Sequence, residues 1–158
     1  MVVRFYPWVQ IKNIMKYYEG NITPEEGTIF VFGSNPDGIH GAGSAKVARL
    51  HFGAIYGQGE GLQGNSYGLP TTILNYSHFR WISHSLPLEE ITEHIRKMYA
   101  CARENPDKNF KVAYRNKPEE VTLCGYSGAE LQKCFKDAGP IPDNVWFSKE
   151  WVDSGNLG

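Results

Sequence analysis

This chain of 158 residues has few cysteines, no long apolar run and no excess of either charge, and each absence excludes some classes of protein. Its three cysteines, Cys101, Cys124 and Cys134, are widely spaced and form no CxxC pair, which disfavours both a disulfide framework and a zinc site. No stretch approaches the roughly 20 apolar residues that a membrane-spanning helix needs, and no export signal is visible near the start. The sequence therefore predicts a soluble, cytoplasmic protein without a metal site.

Charge and length restrict the function and the number of domains. The formal net charge of −1 gives no broad electropositive surface, which disfavours a protein that grips duplex DNA through its phosphates. With 41% hydrophobic residues, the chain is long enough for one well-buried core and too short for two ordinary ones. We therefore expect a single domain over 1–158 that has neither a membrane nor duplex DNA as its partner.

Strand-like and helix-like segments alternate along most of the chain. Residues 28–32, TIFVF, form a continuous β-branched and aromatic run that predicts a central, buried strand. Apolar spacing predicts a helix at 87–105 and shorter helices at 44–52, with Ser44 as N-cap, and at 128–139. Further strands are predicted at 66–69, 109–114, 120–126 and 144–147. The alternation predicts an α/β domain with helices packed around a mostly parallel sheet.

Two segments carry weaker signals. Residues 1–27 combine a β-prone run at 2–6 with helix-like spacing at 11–18 and end in turn-forming residues. Residues 75–86 place aromatic side chains among histidine and arginine, a composition that suits a loop packed on the domain or beside a ligand.

Glycine is concentrated in one region. Ten of the seventeen glycines lie between Gly33 and Gly68, and the first group follows the predicted central strand and precedes a helix. In open α/β sheets, ligands bind at the carboxyl ends of strands, where backbone amides and a helix N-terminus can face an anion. Bare backbone can also approach a diphosphate closely. The pattern predicts a phosphate-binding loop at 33–44, and the alternative is that these glycines only form tight turns.

Two familiar phosphate-binding motifs fail on these residues. Residues 59–64 read GxGxxG, but the Asn-Ser-Tyr-Gly-Leu-Pro that follows cannot open a helix, and no βαβ unit surrounds it. Residues 38–46 have the glycine spacing of a P-loop, but Ser44 stands where lysine must follow Gly43. The sequence therefore favours neither a Rossmann fold nor a nucleoside triphosphatase.

The glycine-rich region also matches a longer pattern. A strand ends in GSN at 33–35, the chain continues through HGAG at 40–43 into a helix, and GxGxGxQGxSYxxPT follows at 57–71. In these motifs the chain resembles a macro-domain-like family of phages and bacteria, over roughly 28–151. The resemblance implies a three-layer α/β/α fold with a mixed, mostly parallel sheet, and it makes 1–27 a family-atypical extension packed on that domain.

Macro domains bind ADP-ribose, and some hydrolyse ADP-ribosyl or ADP-ribose phosphate bonds. The resemblance thus implies an ADP-ribose-type small molecule or an ADP-ribosylated macromolecule as the partner, no cofactor, and a bacterial or phage-infected host cytoplasm. The residues expected to contact the ligand are Gly33, Ser34, Asn35, Gly41, Ala42, Gly43, Ser44, Gln63, Cys124, Gly125, Tyr126, Ser127 and Gly128. Adenine would gain from stacking on an aromatic ring, for which Tyr126, Trp146 and Phe147 are the candidates by position.

Hydrolysis would need a group that positions or deprotonates water, and Asp37 and His40 are the nearest titratable residues in the first loop. Pro-Asp-Gly is also a common turn sequence, which gives Asp37 an ordinary alternative. The Asn-Ala-Ala-Asn of typical macro domains is absent, and Ser127 stands near the position of an aspartate that one hydrolase branch uses. Three functions stay open: an ADP-ribosyl or ADP-ribose phosphate hydrolase, a non-catalytic module that binds or sequesters such a nucleotide, and an assembly protein.

Overall fold

The structure, a computed structural model, describes residues 15–77 and 80–158. The strands in these ranges are β1 Tyr17–Tyr18, β2 Thr28–Ser34, β3 Gly61–Gln63, β4 Ser66–Pro70, β5 Thr72–Ser77, β6 Arg80–Ser85, β7 Asn109–Val112 and β8 Val145–Ser148. The helices are α1 Gly43–His51, α2 Leu88–Glu104, α3 Gly128–Asp137 and α4 Lys149–Asp153. No helix in the described ranges is both long and apolar enough to cross a membrane.

Six strands form one mixed, mostly parallel sheet in the order β1-β8-β7-β2-β4-β3. Strand β2 lies inside it, parallel to β7 on one side and to β4 on the other, and only β3 runs antiparallel to its neighbour. The prediction of a central strand at 28–32 is confirmed. The edge strand β1 comes from the N-terminal segment 1–27, so part of that segment belongs to the sheet itself.

Helices cover the sheet on both faces. Because successive side chains of a strand point to opposite faces, β2 separates two apolar cores. Ile29 and Val31 lie in the larger core, which includes residues of α2 and α3, whereas Phe30 and Phe32 lie in a smaller core with Ala45 of α1. The result is an α/β fold compatible with three layers, α1 on one side of the sheet and α2 and α3 on the other.

The long helix predicted at 87–105 is confirmed as α2, and the helix at 128–139 as α3. Helix α3 begins after a capping box in which the Ser127 hydroxyl accepts from the Glu130 amide and the Glu130 carboxylate accepts from the Ser127 amide. The predicted strands at 66–69, 109–114 and 144–147 correspond to β4, β7 and β8. Periodic apolar patterns thus located most of the elements.

Two predicted elements are wrong. Residues 120–126 form turns instead of a strand, since the Thr122 amide donates to the Tyr126 carbonyl and the Gly125 amide donates back to Thr122. Only an isolated bridge joins Val121 to Ser127 there. Within the predicted loop 75–86, residues 75–77 and 80–85 belong to strands β5 and β6, which pair from Thr72–Ser85 to Ser77–Arg80. Histidine and arginine interrupt the β-prone residues of this segment, so the sequence does not show the alternation of apolar and polar side chains that marks a strand.

The N-terminal predictions are only partly covered by the structure. The run at 2–6 and most of the helix-like spacing at 11–18 lie outside the described residues. The described end of that spacing, Tyr17–Tyr18, is strand β1 and not a helical turn, because it pairs in parallel with β8 at the sheet edge.

Candidate functional site

A cavity of about 610 Å³ opens at the carboxyl ends of the parallel strands β2, β4 and β7. The hairpin β5–β6 and the loop before α3 form two of its walls, and the first turn of α1 forms another. Predicted ligand residues that line it are Gly33, Ser34, Asn35, Gly41, Ala42, Ser44 and Cys124. Gly43 lies between two of these residues in the chain. Of the second predicted loop, 124–128, only Cys124 reaches this cavity.

The N-terminus of α1 faces this cavity with free backbone donors. Helix α1 begins at Gly43, one residue before the predicted start, and its N-cap is Ala42, which has no side chain able to cap it. The first amide with a helical partner is that of Lys46, which donates to the Ala42 carbonyl. The amides of 43–45 have no acceptor in the described part of the chain. Because the first turn also lacks an acidic residue, this end of α1 carries unopposed partial positive charge.

Asn35 shapes the loop that leads from β2 to α1. Its side-chain amide donates to the Ile39 carbonyl at 2.9 Å, and its side-chain oxygen accepts from the Ile39 amide at 3.0 Å. The Gly38 amide closes the same turn on the Asn35 carbonyl. Asn35 lines the cavity, but its polar atoms are already engaged in holding the loop. Asp37 is exposed at the tip of this turn and does not line the cavity, in keeping with the turn interpretation of Pro-Asp-Gly.

His40 is fully buried and lies outside the cavity lining. Its Nε2 is 3.1 Å from the Ile55 carbonyl oxygen and 2.9 Å from that of Gln58, so this nitrogen carries the hydrogen and donates to them. Gln63 reinforces the same loop, accepting from the Ile55 amide and donating to the Gln58 carbonyl. Both polar side chains therefore stabilise the glycine-rich segment from behind the cavity wall, and Gln63 does not line it either.

The loop before α3 enters the cavity only with residues 122–124. Gly125, Tyr126, Ser127 and Gly128 lie beyond the lining. The amides at the start of α3 already have acceptors: Ser127 donates to the Glu130 carboxylate, and Gly128 donates to the Glu120 carbonyl. The Ala129 and Glu130 amides are likewise bonded within the protein. These amides are therefore not free to hold a diphosphate, in contrast to those of α1.

The aromatic residues expected to stack on adenine also lie elsewhere. Tyr126 donates its hydroxyl to the Leu86 carbonyl, Phe147 is fully buried in the core, and two lysine ammonium groups lie over the Trp146 ring. Among the described residues, Tyr114 is the aromatic side chain that lines the cavity. Sequence reasoning missed it, although its place as the last residue of the predicted strand 109–114 was a usable signal.

The described lining is neutral. It includes hydroxyl, amide and thiol groups, but no Asp, Glu, His, Lys or Arg. Elsewhere in the described ranges, no group of three His, Cys, Asp or Glu is arranged to hold a metal ion. A site of this kind can hold an anion through main-chain amides and a sugar or base through neutral groups, but its described walls offer no acid–base pair.

Comparison with known proteins gives no match: neither a scan against family models nor a search of curated proteins finds a counterpart of this chain.

Proposed function

We propose that the cavity binds ADP-ribose or a related nucleotide, either free or attached to a macromolecule. The observation that carries this proposal is the uncapped N-terminus of α1: its amides at 43–45 are free, and Ser44 and Ala45 of this first turn line a cavity of about 610 Å³. Helix N-termini stabilise anions because their amides and the helix dipole both favour negative charge. The volume lies within the range of about 300–1,000 Å³ that small-molecule sites commonly have.

A macro-domain-like architecture agrees with the same features. The HGAG segment at 40–43 leads directly into α1, and the loop begins at the carboxyl end of the central strand β2. Helices lie on both faces of a mixed sheet, and the cavity opens at one end of its parallel strands. These positions correspond to those that the resemblance implies for the ligand loop.

Binding without turnover is the better supported form of this function. Hydrolysis requires a group within reach of the attacking water, at about 2.6–3.2 Å or through one water. Asp37 is exposed on a turn and His40 is buried with its Nε2 engaged, and neither lines the cavity. A module that recognises or sequesters the nucleotide needs only the amides and the neutral walls.

Titration calorimetry with ADP-ribose tests binding, with adenosine as the matched ligand that lacks phosphate. We expect saturable binding of ADP-ribose and much weaker binding of adenosine, because the α1 amides act on the anion. Chromatography of incubations with ADP-ribose phosphate and an ADP-ribosylated peptide then tests turnover, and we expect no product. If adenosine binds as tightly as ADP-ribose, the cavity has no anion site. If ADP-ribose does not bind at all, the proposed function is refuted.

A further inference from the structure

The side chain of Tyr114 ends at the floor of the cavity. Its hydroxyl lies against Gly33 so closely that a Cβ atom added there would collide with it. The same hydroxyl is 3.4 Å from the Thr71 Oγ1, and Thr71 and Gly33 both line the cavity. The end of the tyrosine is therefore surrounded by residues from the carboxyl ends of β2 and β4.

In the described part of the protein, the Tyr114 hydroxyl has only weak partners: the Thr71 hydroxyl and the Cys124 thiol, whose sulfur is a poor acceptor. Hydroxyl hydrogen bonds are usually about 2.7–2.8 Å long, so the 3.4 Å separation from Thr71 is a weak contact. Three other tyrosines donate at short range to backbone carbonyls: Tyr18 at 2.5 Å, Tyr99 at 2.6 Å and Tyr126 at 2.7 Å. Since buried tyrosine hydroxyls ordinarily find a strong partner, the weakness of these described contacts leaves Tyr114 able to donate to a ligand at the cavity wall.

The ring of Tyr114 is held in place from behind. It stacks nearly parallel on Trp151, with 6.0 Å between ring centroids and 7° between planes. Trp151 is in turn fully buried and donates its indole N–H to the Asn116 carbonyl at 2.7 Å. A hydroxyl fixed by packing loses little freedom when it binds a ligand, which favours its use in recognition. Burial also raises the pKa of Tyr114 well above its usual value, so the hydroxyl keeps its proton and remains a donor.

We propose that the Tyr114 hydroxyl donates a hydrogen bond to an oxygen of the bound nucleotide, and that Tyr114 is a specificity-determining residue of the cavity. This inference rests on the proposed function and adds a second point of recognition. The α1 amides act on the anion, whereas Tyr114 recognises an acceptor oxygen at the strand ends. Gly33 is required because any larger residue would displace the hydroxyl from this position.

The test replaces Tyr114 by phenylalanine, which keeps the ring on Trp151 and removes only the hydroxyl. Tyr99→Phe is the matched control, because it removes the same group where the hydroxyl is bonded to Phe135 in the core, outside the cavity. Both variants are titrated with ADP-ribose, and their thermal unfolding is recorded without ligand. We expect Tyr114→Phe to weaken ADP-ribose binding by roughly 5- to 30-fold and Tyr99→Phe to leave the affinity close to that of the natural protein.

Titration with ADP identifies the half of the ligand that Tyr114 contacts. If Tyr114→Phe loses affinity for ADP-ribose but not for ADP, Tyr114 contacts the terminal ribose. If it loses affinity for both ligands, Tyr114 contacts the part that they share. Unchanged affinity of Tyr114→Phe for ADP-ribose would overturn the inference while leaving the proposed function intact. An equal loss of ADP-ribose affinity in Tyr99→Phe would also overturn it, because the loss would then follow from a general loosening of the fold and not from the hydroxyl in the cavity wall. If the natural protein binds no ADP-ribose, both the function and this inference fail.

Discussion

Gly43, the first residue of α1, lies directly against the side chain of Leu123 from the loop before α3. A Cβ atom at Gly43 would approach the Leu123 Cδ1 to 2.5 Å, and the Gly43 φ of +57° is one that L side chains rarely adopt. This contact joins the two loops at the cavity, although 80 positions separate them in the sequence (123 − 43 = 80). We therefore expect Gly43→Glu to disturb binding through backbone strain as well as through charge. Gly41 is the better position for a test of charge, because a side chain fits there.

Gly41→Glu is expected to weaken ADP-ribose binding more than about tenfold, because a carboxylate beside the α1 amides repels the phosphate. A Cβ atom at Gly41 meets nothing within 4 Å, so a side chain fits there. Gly41→Gln is the matched control of the same size without charge. Calorimetry on both variants measures the difference, and equal affinities would argue against an anion at this end of α1.

Asp37→Ala is expected to leave ADP-ribose affinity within about twofold of the natural protein, because Asp37 is exposed on a turn outside the lining. If the protein proves to turn over an ADP-ribosyl substrate, the same variant measures whether Asp37 takes part. A large drop in rate with unchanged affinity would establish the catalytic role predicted from the sequence.

His40→Ala is expected to lower the free energy of unfolding by about 2–4 kcal/mol, because it removes the donor that the Ile55 and Gln58 carbonyls share and leaves a void where the buried ring was. Urea unfolding measures this change. His84→Ala, at an exposed position of β6, is the control and should change stability by less than about 0.5 kcal/mol. If the two substitutions have equal effects, His40 does not hold the glycine-rich loop.

Ser127→Ala is expected to cost about 1 kcal/mol of stability through loss of the capping box, and to leave ADP-ribose affinity unchanged. Glu130→Gln keeps a side chain that can complete the box and serves as the control. The comparison also tests the ligand role that the resemblance implies for this loop. Weaker binding in Ser127→Ala, with normal binding in Glu130→Gln, would show that Ser127 acts on the ligand.

Stability is expected to fall as the pH rises above about 10, the usual pKa of tyrosine in an unfolded chain. Burial raises the pKa of Tyr18, Tyr67, Tyr99 and Tyr114 above that value in the folded protein. The folded state then holds protons that the unfolded state releases, so this stabilisation is complete below about pH 10 and is lost as pH rises toward the folded pKa values. Urea unfolding on either side of that pH measures the loss, and a flat profile would contradict it.

The sequence predicted the local elements around the candidate site where the signal was short-range. The strand followed by GSN and HGAG placed one loop at the start of a helix, because strand ends, glycine turns and helix starts are short-range features. The prediction failed for the loop before α3, since the Gly128 and Ala129 amides bond to Glu120 and Pro118 in a turn that no periodic pattern reveals.

The amino-acid sequence by itself determined the central strand β2 and the long helix α2, because a fully apolar strand and a helical stripe of apolar residues each have one favourable way to be buried. Only the tertiary structure decided where His40 and Tyr114 lie and what surrounds them. Packing buried His40 against carbonyls of the glycine-rich loop, and it placed Tyr114 in the cavity lining. Such surroundings depend on partners distant in the chain, brought together when the sheet and its helices close on their cores.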